Sequence, residues 1–228
     1  MFASLGLTLL IGSGLQVDSA RSDQLMVSNP ETRSQGRTPD SETPPRNTKL
    51  KLRVVAGTYD PDDTDLVESR WMFHIGLPDA QGDENSGLFL SKNGRTSTNA
   101  AAGADLRGVK GINLTELGYD IRNGGHCGAG APRFDVITTD KVDHFVGCSS
   151  PSPVVSAAPA TADGATTGWR RLRWTAAQLA AAFPPIKPTD VVSSISIVFD
   201  EGVDTGPDFS GMAIIDNIDV NGTLAGQE

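Results

Sequence analysis

An all-β fold, specifically an antiparallel β-sandwich of jelly-roll-like type with a disordered N-terminal tail, is predicted by three observations. Short apolar runs alternate with Gly-, Pro- and Asp-rich turn clusters from Leu50 onward. Segments such as MAIIDNIDV (212–220) repeat at period two rather than 3.6. No long amphipathic helix separates the runs, which argues against a parallel α/β sheet. With 228 residues, 38% of them hydrophobic, the chain is long enough for one sizeable core.

At the N-terminus, MFASLGLTLLIGSGLQVDSA (1–20) carries an apolar stretch from Phe2 to about Leu15 that is short for a membrane span. It reads as a signal peptide, which implies a secreted or extracellular protein with no transmembrane anchor. No Lys or Arg precedes the run and Asp18 sits near the cleavage position at Ala20, so a misassigned start or an unstructured leader stand as alternatives. Residues 21–49 are polar and Pro-containing with almost no apolar periodicity, as expected of a disordered linker.

The sandwich domain is placed at 50–225. Strands are expected in LKLRVVAG, ESRWMFHIG, SGLFLSK, ADLRGVKGINL, ELGYDIR, PRFDVITT, DHFVGCS, GWRRLRW, VVSSISIVFDEG and MAIIDNIDV. The one helix candidate is WTAAQLAAAFPP (174–185), with Thr175 as a cap and Pro184 and Pro185 as its stop. In the penultimate strand Ile195, Ile197 and Phe199 share a packed face, leaving Ser194 and Ser196 wet. Two sheets with one packed face each make a sandwich, and the missing Cys…Trp…Cys spacing favours a jelly roll over an immunoglobulin-like arrangement. Strict alternation through the last strand puts Met212, Ile214, Asp216, Ile218 and Val220 on one face. A carboxylate in that row must be paired, hydrogen-bonded, metal-bound or protonated.

A formal net charge of −9 argues against nucleic acid and anionic membranes as partners, since both are met by clustered Lys and Arg. Cys127 and Cys148 are the two cysteines, and in an exported chain they read as a disulfide worth about 3 kcal/mol. The sharper alternatives are a zinc site from His126, Cys127, His144 and Cys148, and a Cys-His catalytic pair, which needs a reduced, exposed thiol. Asp200, Glu201, Asp204 and Asp208 form an acidic loop of the kind that binds calcium, although solvated loop carboxylates are the commoner outcome. PDDTD (61–65) and DAQGDEN (79–85) are acidic turns of weaker specificity. For Asp216, a structural calcium and an Arg partner such as Arg133 are equal readings.

In GWRRLRW, core-facing Leu172 and Trp174 turn Trp169, Arg171 and Arg173 outward, as a platform for a sugar ring or an anionic group. Asp120, Arg122, Arg133, Asp135 and His144 are candidates to add hydrogen-bonding groups on a concave sheet face, or to form cross-strand ion pairs. Simple packing of arginine stems over a surface Trp competes with the ligand reading. No GxSxG, HExxH, P-loop or dinucleotide fingerprint occurs.

The segments GHCGAGAPRFDVIT, HFVGC, FPPI, SIVFDEG and IIDNIDVNG resemble a group of secreted bacterial proteins of unassigned function with a predicted jelly roll similar to that of carbohydrate-binding modules. The resemblance spans about Trp71 to Gly222. It implies a structural calcium held by an acidic residue of the closing strand, which by position is Asp216. The function expected is a non-catalytic extracellular binding or accessory module for a carbohydrate or other cell-envelope ligand. A small secreted glycan hydrolase or lyase using paired carboxylates is the alternative. A structural or interaction domain without a small-molecule ligand is the third.

Overall fold

The computed structural model describes residues 50–78, 85–96, 99–158, 168–200 and 210–226. The expected signal peptide and linker, and Glu201, Asp204 and Asp208 of the acidic loop, lie outside the described residues. Among the described residues, twelve strands and one short helix follow in order: β1 (Arg53–Tyr59), β2 (Val67–Met72), β3 (Gly87–Asn93), β4 (Ala101–Arg107), β5 (Glu116–Arg122), β6 (Arg133–Thr138), β7 (Asp143–Gly147), β8 (Val154–Ala157), β9 (Trp169–Thr175), α1 (Ala176–Leu179), β10 (Val192–Phe199), β11 (Ser210–Val220) and β12 (Thr223–Ala225).

They form two antiparallel sheets. One has five strands in the order β1-β4-β10-β6-β7; the other runs β2-β3-β11-β5-β9-β8, with β12 pairing β11. The chain passes repeatedly from one sheet to the other, so strands distant in sequence become neighbours and the two layers close a common core, the jelly-roll-like sandwich expected. Every-other-residue hydrophobicity supplies that core: Val54, Ala104, Leu106, Val136, Ile195 and Ile197 from the five-stranded sheet meet Leu88, Leu90, Leu117, Ile121, Leu172 and Ile215 from the other. Tyr119, Phe134 and Trp174 pack ring against ring at its centre, with centroids 5.3–5.9 Å apart. The polar ends of two of them find carbonyls, Tyr119 Oη at Pro132 and Trp174 Nε1 at Pro151, so neither is buried unsatisfied.

Three expectations are corrected. The run ADLRGVKGINL does not stay a strand: β4 stops at Arg107 because the chain turns at Gly108, with φ of +88°, where a Cβ would lie 2.0 Å from the Lys51 carbonyl oxygen. The helix shortens to α1, with the Gln178 side chain accepting from the Thr175 N–H. The third concerns β11, which does not alternate strictly. Its pairing with β5 slips between Asp216 and Asp219, and Asn217 takes a left-handed φ of +46°. This β-bulge inverts the phase: Ala213 and Ile215 face the core before it, Ile218 and Val220 after it. Asp216 therefore lies on the sheet's outer side, not among the core-facing residues.

Candidate functional site

Alternation on the five-stranded sheet sends Val55, Asp105, Ser196, Asp135 and Phe145 away from the core, one from each strand. The register sets them side by side: Val55 opposes Asp105, Ser196 lies between Asp105 and Asp135, and Phe145 opposes Asp135. A second row runs Gly57, Gly103, Val198, Arg133, Gly147. Where side chains are smallest the face hollows into a groove of about 280 Å³ across β1, β4 and β10, with the exposed Tyr59 at its edge. Gly103 is required there, since a Cβ would lie 2.3 Å from the Ile197 carbonyl oxygen; at Gly57 it would meet nothing within 4 Å, so that part of the floor is open.

Arg133 anchors the neighbouring part of the face. Its guanidinium donates to Asp135 and Asp200, both at 2.6 Å, and to the Gly130 carbonyl at 3.0 Å, and it sits 5.5 Å from the Phe145 ring centroid. Burial works against its charge, but the two carboxylates hold its pKa above the ordinary arginine value. Asp135 is pushed upward by burial, with Arg133 pulling the other way. Gly130 belongs to the loop clasped by the Cys127–Cys148 disulfide, whose Cα atoms are 5.2 Å apart. That loop closes over the sheet end: the Ala129 carbonyl rests where a Gly147 side chain would stand, and Gly128 accepts from the Ser149 N–H.

The other expected site residues are dispersed. Trp169, Arg171 and Arg173 do share the outer side of β9, but the arginines are committed to carboxylates. Arg171 binds Asp120 through two nitrogens at 2.9 and 3.0 Å, and Arg173 reaches Asp219 at 3.1 Å and Asp120 at 3.7 Å. Hydrogen bonding to Asp120 raises the Arg171 pKa, whereas burial lowers that of Arg173. Trp169 is half-buried opposite Arg122, which borders a second hollow of about 300 Å³ with Met212 and Ile214. His144 points inward: it is 3% exposed, with Nδ1 2.9 Å from the Pro184 carbonyl and Nε2 3.2 Å from Thr138 Oγ1, so it is unavailable to a surface ligand.

The zinc reading does not fit these side chains. Cys127 and Cys148 are bonded to each other and His126 stacks edge-on against Phe199, so the expected zinc ligands do not converge. Asp216 is fully buried and its oxygens accept the Leu77 and Asn217 N–H groups, both at 2.7 Å. No cluster of three metal-ligating side chains occurs among the described residues. Arg133 is not its partner, being held on the other sheet by Asp135 and Asp200.

Tyr59, Asp105 and Ser196 as members of one face were missed. The signal lay in RVVAGTY and AAGADLR, where a glycine sits at an outward position of each strand.

No family model and no curated protein matches the chain. Among solved structures, it is similar to the family 11 carbohydrate-binding module of the cellulosomal cellulase Lic26A-Cel5E of Clostridium thermocellum, over 78% of this chain and 91% of that one, at 15% identity with a TM-score of 0.36. A family 11 module from the same organism in complex with a β-1,3-1,4-mixed-linked tetrasaccharide aligns over 77% and 91%, at 16% identity with a TM-score of 0.35.

Proposed function

We propose that the domain is a non-catalytic glycan-binding module and that the outer face of the five-stranded sheet is its binding surface. The observation that carries this reading is the groove itself. It is a preformed, glycine-floored hollow on a rigid sheet, with an exposed tyrosine at its rim and Asp105 and Ser196 on its wall. Sugars offer this arrangement what it can use: hydroxyls for carboxylate and serine acceptors, and apolar ring faces for an aromatic side chain. Arg133 is neutralised by two carboxylates, which favours a neutral ligand over an anionic one. The disulfide supports an extracellular or cell-envelope site of action, where such bonds persist.

Binding without turnover is favoured by the commitment of Asp135 to Arg133. Asp105 and Asp135 flank Ser196 two strands apart, roughly 10 Å at the backbone, and Asp135 is tied to Arg133. The test is calorimetric titration of the full chain with a panel of neutral β-glucans, xylans and mannans, with reducing-sugar release followed in parallel. Saturable binding that Tyr59→Ala and Asp105→Ala each weaken at least tenfold, and that Trp169→Ala leaves intact, is the expected result. Release of sugar would instead favour the hydrolase, and silence across the panel would favour a domain with no sugar ligand.

A further inference from the structure

The five-stranded face does not end at its last strand. Beyond α1 the chain returns alongside β7, and Phe183 forms an isolated antiparallel bridge with Phe145, each backbone N–H donating to the other's carbonyl, at 2.8 and 3.3 Å. Residues directly opposed in an antiparallel pair project to the same side. Phe145 opposes Asp135 and faces outward with it, so Phe183 must face outward too. Both rings meet solvent, Phe145 at 37% and Phe183 at 78% exposure. Val55, Asp105, Ser196, Asp135, Phe145 and Phe183 are therefore one row across six chain segments, spanning roughly 24 Å at the strand spacing of about 4.8 Å.

A phenylalanine has no polar atom to gain from water, and adjacent solvent-facing rings beside a polar row call for a ligand that is itself two-natured. An anionic lipid surface is disfavoured by the carboxylates of Asp105 and Asp135 in the same row. A pyranose is suited to it: equatorial hydroxyls for the centre of the row, an apolar C–H face for the end. Arg133 already covers Phe145, so Phe183 supplies the freer ring.

We propose that Phe183, backed by Phe145, is a terminal stacking subsite that engages the far end of an extended neutral glycan whose other end lies in the groove beside Tyr59. This rests on the glycan-binding reading above and adds to it a minimum ligand length. A short oligosaccharide fills the groove and never reaches Phe183; a long one crosses the face and gains from it.

The test is titration of the full-length protein with cellotriose and cellohexaose. The wild type is expected to bind the hexaose more tightly than the triose. Phe183→Ala should lose about tenfold on the hexaose and nothing on the triose, Phe183→Tyr should restore most of the loss, and an unchanged melting temperature should show that the variant is folded. The subsite is overturned if Phe183→Ala binds the hexaose like wild type, or loses affinity equally for both lengths, while Asp105→Ala still weakens binding at least tenfold. If the wild type binds neither these sugars nor any of the wider panel, the groove reading itself falls and takes the subsite with it.

Discussion

Asp120 shows what the individual residue contributes to the seven-stranded sheet. Fully buried on the side away from the core, it is acceptable as an ion only because Arg171 clamps it with two nitrogens and Asn217 Nδ2 donates at 2.9 Å. Asp120→Ala should leave both arginines short of a counter-charge and cost about 3 kcal/mol, read as a melting temperature lower by about 8 °C. Glu116 is the opposite case: burial and the neighbouring Asp219 carboxylate push its pKa up, against a smaller pull from Arg173. A carboxyl whose pKa is raised on folding adds stability below the unfolded value and loses it as pH rises through the folded one. At neutral pH the charged form is thus a burden. Glu116→Gln should melt about 2 °C higher at pH 7, and thermal scans near pH 4 should show that advantage gone.

At the level of elements, the disulfide-clasped loop links architecture to the candidate site. Bridging residues separated by 21 positions is worth about 3 kcal/mol in chain entropy. The loop also delivers the Gly130 carbonyl to Arg133. A Cys127→Ser, Cys148→Ser double variant should melt roughly 6–12 °C lower. At a temperature where it remains folded, it should also bind long glycans more weakly, because Arg133 loses one of its three holds beside Phe145. Unchanged hexaose affinity in that variant would separate the loop from the site. Elements are also the level at which the chain was most and least readable. Ile195, Ile197 and Phe199 fell on the core side as their spacing requires, because β10 is regular over that stretch. The same rule misplaced Asp216, since a bulge at Asn217 inverts the phase and nothing in period-two counting registers one extra residue. β12 was missed although Asn221-Gly222, with φ of +54° and +78°, is the dipeptide a two-residue hairpin turn prefers. β8 left no such sign: its four residues are all exposed, so burial never shaped them. Pairing partners were out of reach for a different reason. Trp169, Arg171 and Arg173 could be placed on one face from spacing, but that Asp120 and Asp219 come from two other strands to neutralise the arginines depends on sheet order.

Over the whole molecule, the net charge of −9 acts on any ligand before it touches the groove. Carboxylates outnumber cations, and Arg133, beside Asp135 of the polar row, is already shared between Asp135 and Asp200. A uronic acid polymer approaching this surface meets a like-signed field, and the Arg133 guanidinium is already committed to two carboxylates. A neutral glucan feels neither effect, and its affinity depends on short-range contacts that salt hardly screens. Neutral-glycan affinity should therefore stay within about twofold between 20 and 500 mM NaCl. Polygalacturonate should bind at least tenfold more weakly at the low end and recover part of the gap at the high end. The measurement is a salt series of titrations on one protein preparation. Tight polygalacturonate binding that weakens with added salt would mean that an unneutralised basic surface, rather than this groove, is taking the ligand.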